Sequence, residues 1–430
     1  MNIEQLYQLY RSATGVSTDT RNIEQGNLFF ALKGPTFNGN EFAANALALG
    51  ASAVIVDELS AVVKGDKRYI MVENVLKCLQ QLSHHHRKTL NIPIIAITGT
   101  NGKTTTKELV SIVLAQKHQV KSTVGNLNNH IGVPLTLLSM GDDTQIGVVE
   151  MGANKIGDIQ ELCEIAAPSH GLITNIGKAH LEGFGDLDGV LRAKTELYQY
   201  LKTTGGTVFI NTGNPILANM AKRFEQPVLY PQAGGFYECT LVEANPFVHF
   251  KTKDGQVHHT KILGAYNFDN IATALTVGAF FGVEETAAIQ TISAYIPSNM
   301  RSQLIEKRSN LILLDAYNAN PSSMEEAIKA FGKMTGKKHK MIILGDMYEL
   351  GKSEVEEHQK IGTLLNQLDI DKICFTGKLM QHALSHTPRG LYFPDPFSLR
   401  NWLQDSRLEN YLILIKGSRG MKLEGLVDFI

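Results

Sequence analysis

The stretch Thr98-Gly99-Thr100-Asn101-Gly102-Lys103-Thr104-Thr105 follows an apolar run at 94–97 and precedes a helical pattern. A strand, a glycine turn and a helix opening on Lys-Thr make a phosphate cradle. Glycines let backbone N–H groups approach anionic oxygens, and the helix N-terminus adds positive potential. Lys103 would bridge the outer phosphates of a nucleotide, and the Thr104 hydroxyl would reach a Mg²⁺ ion. The usual spacing, GxxxxGK[ST], would put glycine at 97, where this chain has Ile97. The alternative is a plain glycine turn before a helix.

Other residues suit the same chemistry. Glu150 ends the apolar strand pattern of "VVEMG", and a carboxylate at a strand's carboxyl end suits a hard cation. His180 lies in the loop after "HGLITNIG", in the same layer as Lys103 and Glu150. Taken alone, a loop histidine is more often structural or exposed. Lys194, in "RAKTELY", reads most plainly as a solvated helix lysine. Asn267 and Asn270 in "GAYNFDNIATA" are spaced i, i+3, so both amides can point one way, or they can cap a helix start.

The elements that must hold these residues fall into three blocks, and the expected class is α/β throughout. Residues 1–90 mix short apolar runs with the helical "NEFAANALALG", as in a small α/β domain. Residues 91–300 alternate apolar strands (IPIIAIT, IGVVEMG, HGLITNIG, TVFIN) with amphipathic helices, which predicts a mainly parallel sheet. Within this block, 225–262 reads as an antiparallel excursion. Residues 301–430 return to strand–helix alternation of the doubly wound, Rossmann-like type. The polar "SHHHRKTLN" (83–91) reads as a helix end and linker with His84, His85 and His86 in solvent. Ser322 with Glu325, or Ser323 with Glu326, would make a capping box.

Composition narrows the partners. With 41 Lys+Arg against 42 Asp+Glu, no global field favours nucleic acid or an anionic membrane. The most apolar stretch, "IATALTVGAFFGV" (271–283), is too short to span a bilayer, and the N-terminus lacks a signal-peptide pattern. Four scattered cysteines without a CxxC fit free thiols in a reducing cytoplasm.

"TGTNGKTTT" resembles the Mur ligase superfamily, which includes the folylpolyglutamate synthases. The resemblance covers essentially the whole chain and implies an ATP-dependent enzyme that joins an acid to an amine. It implies that Lys194, in an "AK-x-E" segment, is carbamylated and acts as an oxygen ligand. Thr104, Glu150, His180 and Lys194 would then hold two Mg²⁺ ions. It places Asn267 and Asn270 against the nucleotide, Arg301 on the terminal phosphate and Asp315 on the ribose. Tyr266 stands where the family pattern typically has histidine, and no role is assigned to it.

"DAYNANPSSM", "LGDMYELG" and "IKGSRGMKLE" resemble the superfamily members that add D-Ala-D-Ala to UDP-MurNAc-tripeptide, in cytoplasmic peptidoglycan precursor synthesis. An Asp-Asn-Pro-Arg segment, typical of the diamino-acid-adding relatives, is not found. The resemblance makes 1–90 a UDP-sugar domain with Asp19, Arg21, Lys33 and Asn38 as contacts, although such loop residues could equally be turn formers. It turns Asn126, Asn128 and Asn129 toward the acceptor peptide, again with a turn-forming alternative. Tyr317, Asn318 and Asn320 join the substrate contacts. Lys416, Ser418 and Arg419 would receive the dipeptide carboxylate, unless the charges are simply surface ones. ATP would lie between the second and third domains, in a monomer whose closure assembles the site. Rival readings are another amide ligase of the superfamily and a nucleotide-binding homologue without activity.

Overall fold

Residues 28–30 and 53–56 are buried on both faces, as strands covered by helices on both sides must be. The computed structural model describes residues 2–430 and pairs them in a small parallel sheet. Its strands β1 (Val16–Ser17), β2 (Leu28–Phe30), β3 (Ala53–Val56) and β4 (Tyr69–Met71) lie in that order. Helices α1 (Ile3–Ser12) and α2 (Val75–Leu90) pack against it. Asn2 caps α1 and Asn74 caps α2.

The central unit holds β5 (Ile94–Thr98), α3 (Lys103–Leu114), β6 (Val120–Ser122), β7 (Ile146–Glu150) and α4 (Asp158–Ala166). It continues with β8 (His170–Ile173), α5 (Leu187–Thr204), β9 (Thr207–Asn211) and β10 (Val228–Tyr230). The sheet is parallel throughout, in the order β10-β9-β8-β5-β7-β6. Its two faces split β5 by alternation: Ile94 and Ala96 enter one core, Ile95 and Ile97 the other. The expected antiparallel excursion is present as β11 (Cys239–Ala244), β12 (Phe247–Thr252) and β13 (Val257–Leu263), before α6 (Phe268–Phe280).

The third unit comprises β14 (Gln303–Lys307), β15 (Asn310–Asp315), α7 (Pro321–Lys333), β16 (His339–Gly345) and α8 (Glu354–Leu365). It ends with β17 (Lys372–Thr376), β18 (Leu391–Phe393), α9 (Pro396–Asp405) and β19 (Tyr411–Lys416). The order is β14-β15-β19-β16-β17-β18, with β14 the antiparallel edge strand. Leu181 and Leu263 of the central unit are buried in this unit's core, so the two units share apolar packing. The four cysteines are buried free thiols.

Two local expectations are corrected. The histidine-rich stretch is not a solvated linker, because α2 runs through it to Leu90 and docks the first unit on the second. His86 is fully buried, with Nε2 2.8 Å from the Met140 carbonyl; His84 Nδ1 lies 3.1 Å from the Ile165 carbonyl. The capping box on α7 is made by Asn320 with Ser323, since Pro321 already occupies the first helical turn.

Arg87 shows how firm the first joint is. Its buried guanidinium donates to the carbonyls of Ala166 (3.0 Å) and Ala167 (3.1 Å), where α4 ends in a left-handed residue. Arg87→Ala should lower stability by about 2–4 kcal/mol, because both carbonyls lose a charged donor. Urea unfolding of the two proteins checks this, and an unchanged midpoint would contradict it.

Candidate active site

The loop between β5 and α3 needs its glycines. Gly99 has φ +142°, and a Cβ there would stand 2.0 Å from Thr174 Oγ1. Gly102 has φ +77°, and its Cβ would meet Asn270 Oδ1 at 2.6 Å. The loop is pinned to the end of β8: the Asn101 N–H donates to Asn175 Oδ1 (2.9 Å), and Thr174 Oγ1 donates to the Asn101 carbonyl (2.6 Å). Among the described residues no side chain caps α3, so its first amides stay available to an anion. Lys103 Nζ folds back on the carbonyls of Gly99 (2.8 Å) and Thr100 (2.9 Å). Burial pushes it down to about 8, against the pull of Glu150.

Glu150 is 1% exposed at the end of β7. Asn128 Nδ2 donates to its Oε1 at 2.7 Å, while Oε2 is buried and, among the described residues, unpartnered. A carboxylate oxygen stripped of water and left without a donor is a fit for a hard cation. No group of three His, Cys, Asp or Glu able to hold a metal occurs among the described residues, so Glu150 would need a ligand of another kind. Lys194 is the nearest candidate the sequence reading supplied. It is 2% exposed on α5, so the solvated reading fails. Its Nζ lies 3.4 Å from the Ala153 carbonyl and 5.3 Å over the Phe184 ring, just behind the cavity wall. Burial, then the charge of Lys103, pushes it down to about 7, so the amine gives up its proton more readily than an exposed lysine's. His180 lines the cavity in a left-handed conformation (φ 49°), with Nδ1 against the Glu349 carboxylate of the third unit.

On the far side, Asn267 and Asn270 are buried and do not cap α6. Asn267 Nδ2 donates to the Leu263 carbonyl (2.7 Å), Asn270 Nδ2 to Asn267 Oδ1 (2.7 Å), and Thr106 Oγ1 to Asn270 Oδ1 (2.9 Å). The pair thus braces the phosphate loop from α6. Arg301 stacks 3.8 Å over the Tyr317 ring. Asp315 is held on both oxygens, by Lys416 Nζ at 2.6 Å and the Ser302 N–H at 3.2 Å.

One cavity of about 1120 Å³ joins most of these groups. It is lined by residues 100–105, by Asn126, Asn128, Asn129, Glu150, His180, Asn267 and Asn270, and by Arg301, Asp315, Tyr317, Asn318, Asn320 and Lys416. Gly99 and Lys194 sit behind that lining. Asn129 also serves its own turn, accepting from the Ile131 and Gly132 N–H groups. The third-unit trio does not converge. Lys416 is in the cavity, but Ser418 Oγ accepts the Tyr348 N–H (3.0 Å) and Arg419 pairs with Glu424 (2.6 Å), both outside the lining.

Asp19, Arg21, Lys33 and Asn38 lie outside it as well. Asp19 and Arg21 pair with each other around a short turn, Lys33 pairs with Asp57 and Glu58, and Asn38 bonds to Glu58 and Asn40. Sequence reasoning missed Asn175, Asp269 and Glu326, which also line the cavity. Asn175 could have been found from its place just after β8; Glu326, on an exposed position of α7, carried no local signal. Lys107 was missed too: its buried Nζ donates to the Thr123 carbonyl (2.8 Å), behind Glu150.

The central and third units touch directly beside the cavity. Asn320 Nδ2 donates to Asn101 Oδ1 (2.8 Å), the Lys178 N–H to Ser322 Oγ (2.9 Å), and Lys178 pairs with Glu357 (2.8 Å). Tyr266 OH lies 2.9 Å from Ser302 Oγ across the linker.

Three family models match the chain in sequence. They are the Mur ligase family catalytic domain over 12–87, the Mur ligase middle domain over 97–278 and the Mur ligase glutamate ligase domain over 300–419. A UDP-N-acetylmuramoyl-tripeptide–D-alanyl-D-alanine ligase of Bacillus subtilis is 36% identical, over 96% of this chain and 92% of the relative. The Escherichia coli protein of that name is 32% identical over 96% and 92%. Among solved structures, MurF from Acinetobacter baumannii superposes with a TM-score of 0.87 at 29% identity, covering 99% of this chain and 98% of the other. MurF ligase from Thermotoga maritima in complex with ADP gives 0.84 at 27% identity, covering 98% and 97%. With these matches spanning the whole of the cavity just described, the chain belongs to the Mur ligase family.

Proposed function

We propose that this chain is an ADP-forming, ATP-dependent ligase that joins D-Ala-D-Ala to UDP-MurNAc-tripeptide, a step of peptidoglycan precursor synthesis. The observation that carries it is the unpartnered Glu150 Oε2, buried in the same cavity as the open N-terminus of α3 and Lys103. A triphosphate on the loop and a cation at Glu150 account for both features. The whole-length likeness to ligases of that name sets the substrates.

In this reading residues 1–90 bind the UDP-sugar, 91–300 bind ATP, and 301–430 bind nucleotide and incoming dipeptide. Residues 99–105 cradle the phosphates, with Asn267, Asn270, Arg301 and Asp315 on the remainder of the nucleotide. Thr104, Glu150, His180 and carbamylated Lys194 would hold Mg²⁺, which offsets the repulsion between a triphosphate and a substrate carboxylate. The carboxylate takes the γ-phosphoryl group, and the dipeptide amine then displaces phosphate from the acyl phosphate. Asn126, Asn128 and Asn129 orient the acceptor peptide. Tyr317, Asn318, Asn320 and Lys416 face the dipeptide, with Ser418 and Arg419 as supports for the strand end that carries Lys416. The third unit closes the cavity and keeps water from the acyl phosphate.

Asp19, Arg21, Lys33 and Asn38 are carried to the UDP end. There Arg21 and Lys33 would exchange their present carboxylate partners for the diphosphate. No helix among the described residues is long and apolar enough to cross a membrane. In this reading the reaction is cytoplasmic, because its substrates are soluble, and the enzyme acts as a monomer, because the site residues named here come from one chain.

Phosphate release from ATP with UDP-MurNAc-tripeptide should depend strictly on D-Ala-D-Ala; equal release with a diamino acid or glutamate would select a sister ligase instead. Lys103→Met should lower kcat by about 10²–10³, the usual scale for losing one donor at a developing charge. A smaller change than tenfold would remove Lys103 from the phosphates. Lys194→Ala should lose activity and recover part of it with acetate or formate; absence of rescue would contradict the oxygen-ligand role.

A further inference from the structure

Between the end of β7 and the start of α4 the chain forms one wall of the cavity, lined by Gly152, Ala153, Asn154, Lys155 and Asp158. Exposed connections are ordinarily mobile, but this one is tied along its length. The Gly152 N–H donates to the Asn128 carbonyl (2.8 Å). Asp158 Oδ2 accepts the N–H groups of Asn154 (2.9 Å) and Lys155 (3.1 Å). Glu196, on α5, accepts the Gly157 N–H on one oxygen (2.7 Å) and the Gln160 N–H on the other (2.9 Å). A Cβ on Gly183 would stand 2.0 Å from the Asn154 carbonyl oxygen, so the segment after His180 packs flush against the wall. The wall therefore joins the asparagine turn at 126–129 to the corner where Lys194 Nζ meets the Ala153 carbonyl (3.4 Å).

The charged groups of this wall differ in what already holds them. Asp158 is engaged by the two amides, and Glu161 Oε1 accepts from Gln80 Nε2 (3.2 Å). That leaves Lys155, exposed on the same wall, with no carboxylate partner among the described residues. An exposed lysine is ordinarily just solvated. This one stands on a fixed backbone in the cavity lining, beside the asparagines carried to the acceptor peptide. We propose that Lys155 receives the terminal carboxylate of that peptide: its ammonium donates to one carboxylate oxygen and leaves the other free to take the γ-phosphoryl group. A cation fixed at that place offsets the charge that the acid brings toward the triphosphate. The asparagines then serve the neutral part of the peptide, and charge selects its ionised end.

The inference rests on the ligase reading for the identity of the peptide, and binding tests it without turnover. UDP-MurNAc-tripeptide, and the analogue whose terminal carboxyl is a carboxamide, are titrated calorimetrically into protein saturated with Mg²⁺ and a non-hydrolysable ATP analogue. The parent should bind the acid about tenfold more tightly than the amide, the scale of one hydrogen bond to a charged group. Lys155→Met should bind both alike, with the parent's affinity for the amide. Lys155→Arg keeps the charge and should keep the preference. Equal losses for acid and amide in Lys155→Met would overturn the proposal, making Lys155 a structural support only. A parent without preference for the acid would overturn it too. Phosphate release by the parent with D-Ala-D-Ala, run alongside, reports on the ligase reading separately.

Discussion

A single buried carboxylate governs the electrostatics of the cavity. Glu150 is almost wholly out of water, and one of its oxygens has no donor among the described residues. Lys103 and Lys107 feel its charge, Lys103 depressed to about 8 and Lys107 depressed as well, while Lys194 behind the cavity wall is depressed to about 7. In each case burial is the leading cause. Lysines held this way carry less charge than they would in water, and an arriving triphosphate raises it again. Most of the fold's precision serves this balance. Thr123 shows it in one residue, accepting the Glu150 N–H on its hydroxyl and the Lys107 ammonium on its carbonyl.

The second constraint is closure. The phosphate loop belongs to the central unit, yet its Asn101 side chain accepts from Asn320, the cap of α7 in the third. The linker between the units carries three left-handed residues, Asn299, Met300 and Ser302, around Arg301. Ser302 is tied on one side to Tyr266 and on the other to Asp315. The residue that faces the phosphates in our reading thus sits in the linker, where any change in the orientation of the units would displace it.

What could be read beforehand follows from how local each signal is. The phosphate loop was legible because strand, glycines and Lys-Thr are adjacent in sequence, and the steric need for Gly99 and Gly102 bears out the turn. The parallel sheets were legible from strand–helix alternation. The antiparallel edge strand β14 was not picked out; half-polar on both faces, it offers no alternation. His86 and Arg87 look like a solvated helix end because the carbonyls that accept their hydrogen bonds come from 140 and 166–167, far along the chain. Lys194 shows a solvated lysine's neighbours in sequence, and only the packing of α5 on the sheet buries it. Lys416 and Asp315 lie 101 residues apart and pair only because β15 and β19 are neighbours in register.

The central claim is that the cavity passes the γ-phosphoryl group of ATP to a substrate carboxylate before the amide forms. UDP-MurNAc-tripeptide carrying ¹⁸O in its terminal carboxylate tests this directly. Mass analysis of the phosphate released with D-Ala-D-Ala should find one ¹⁸O per phosphate, because the bridging oxygen of the acyl phosphate leaves with phosphorus. Unlabelled phosphate, with the displaced ¹⁸O recovered in water instead, would contradict the account.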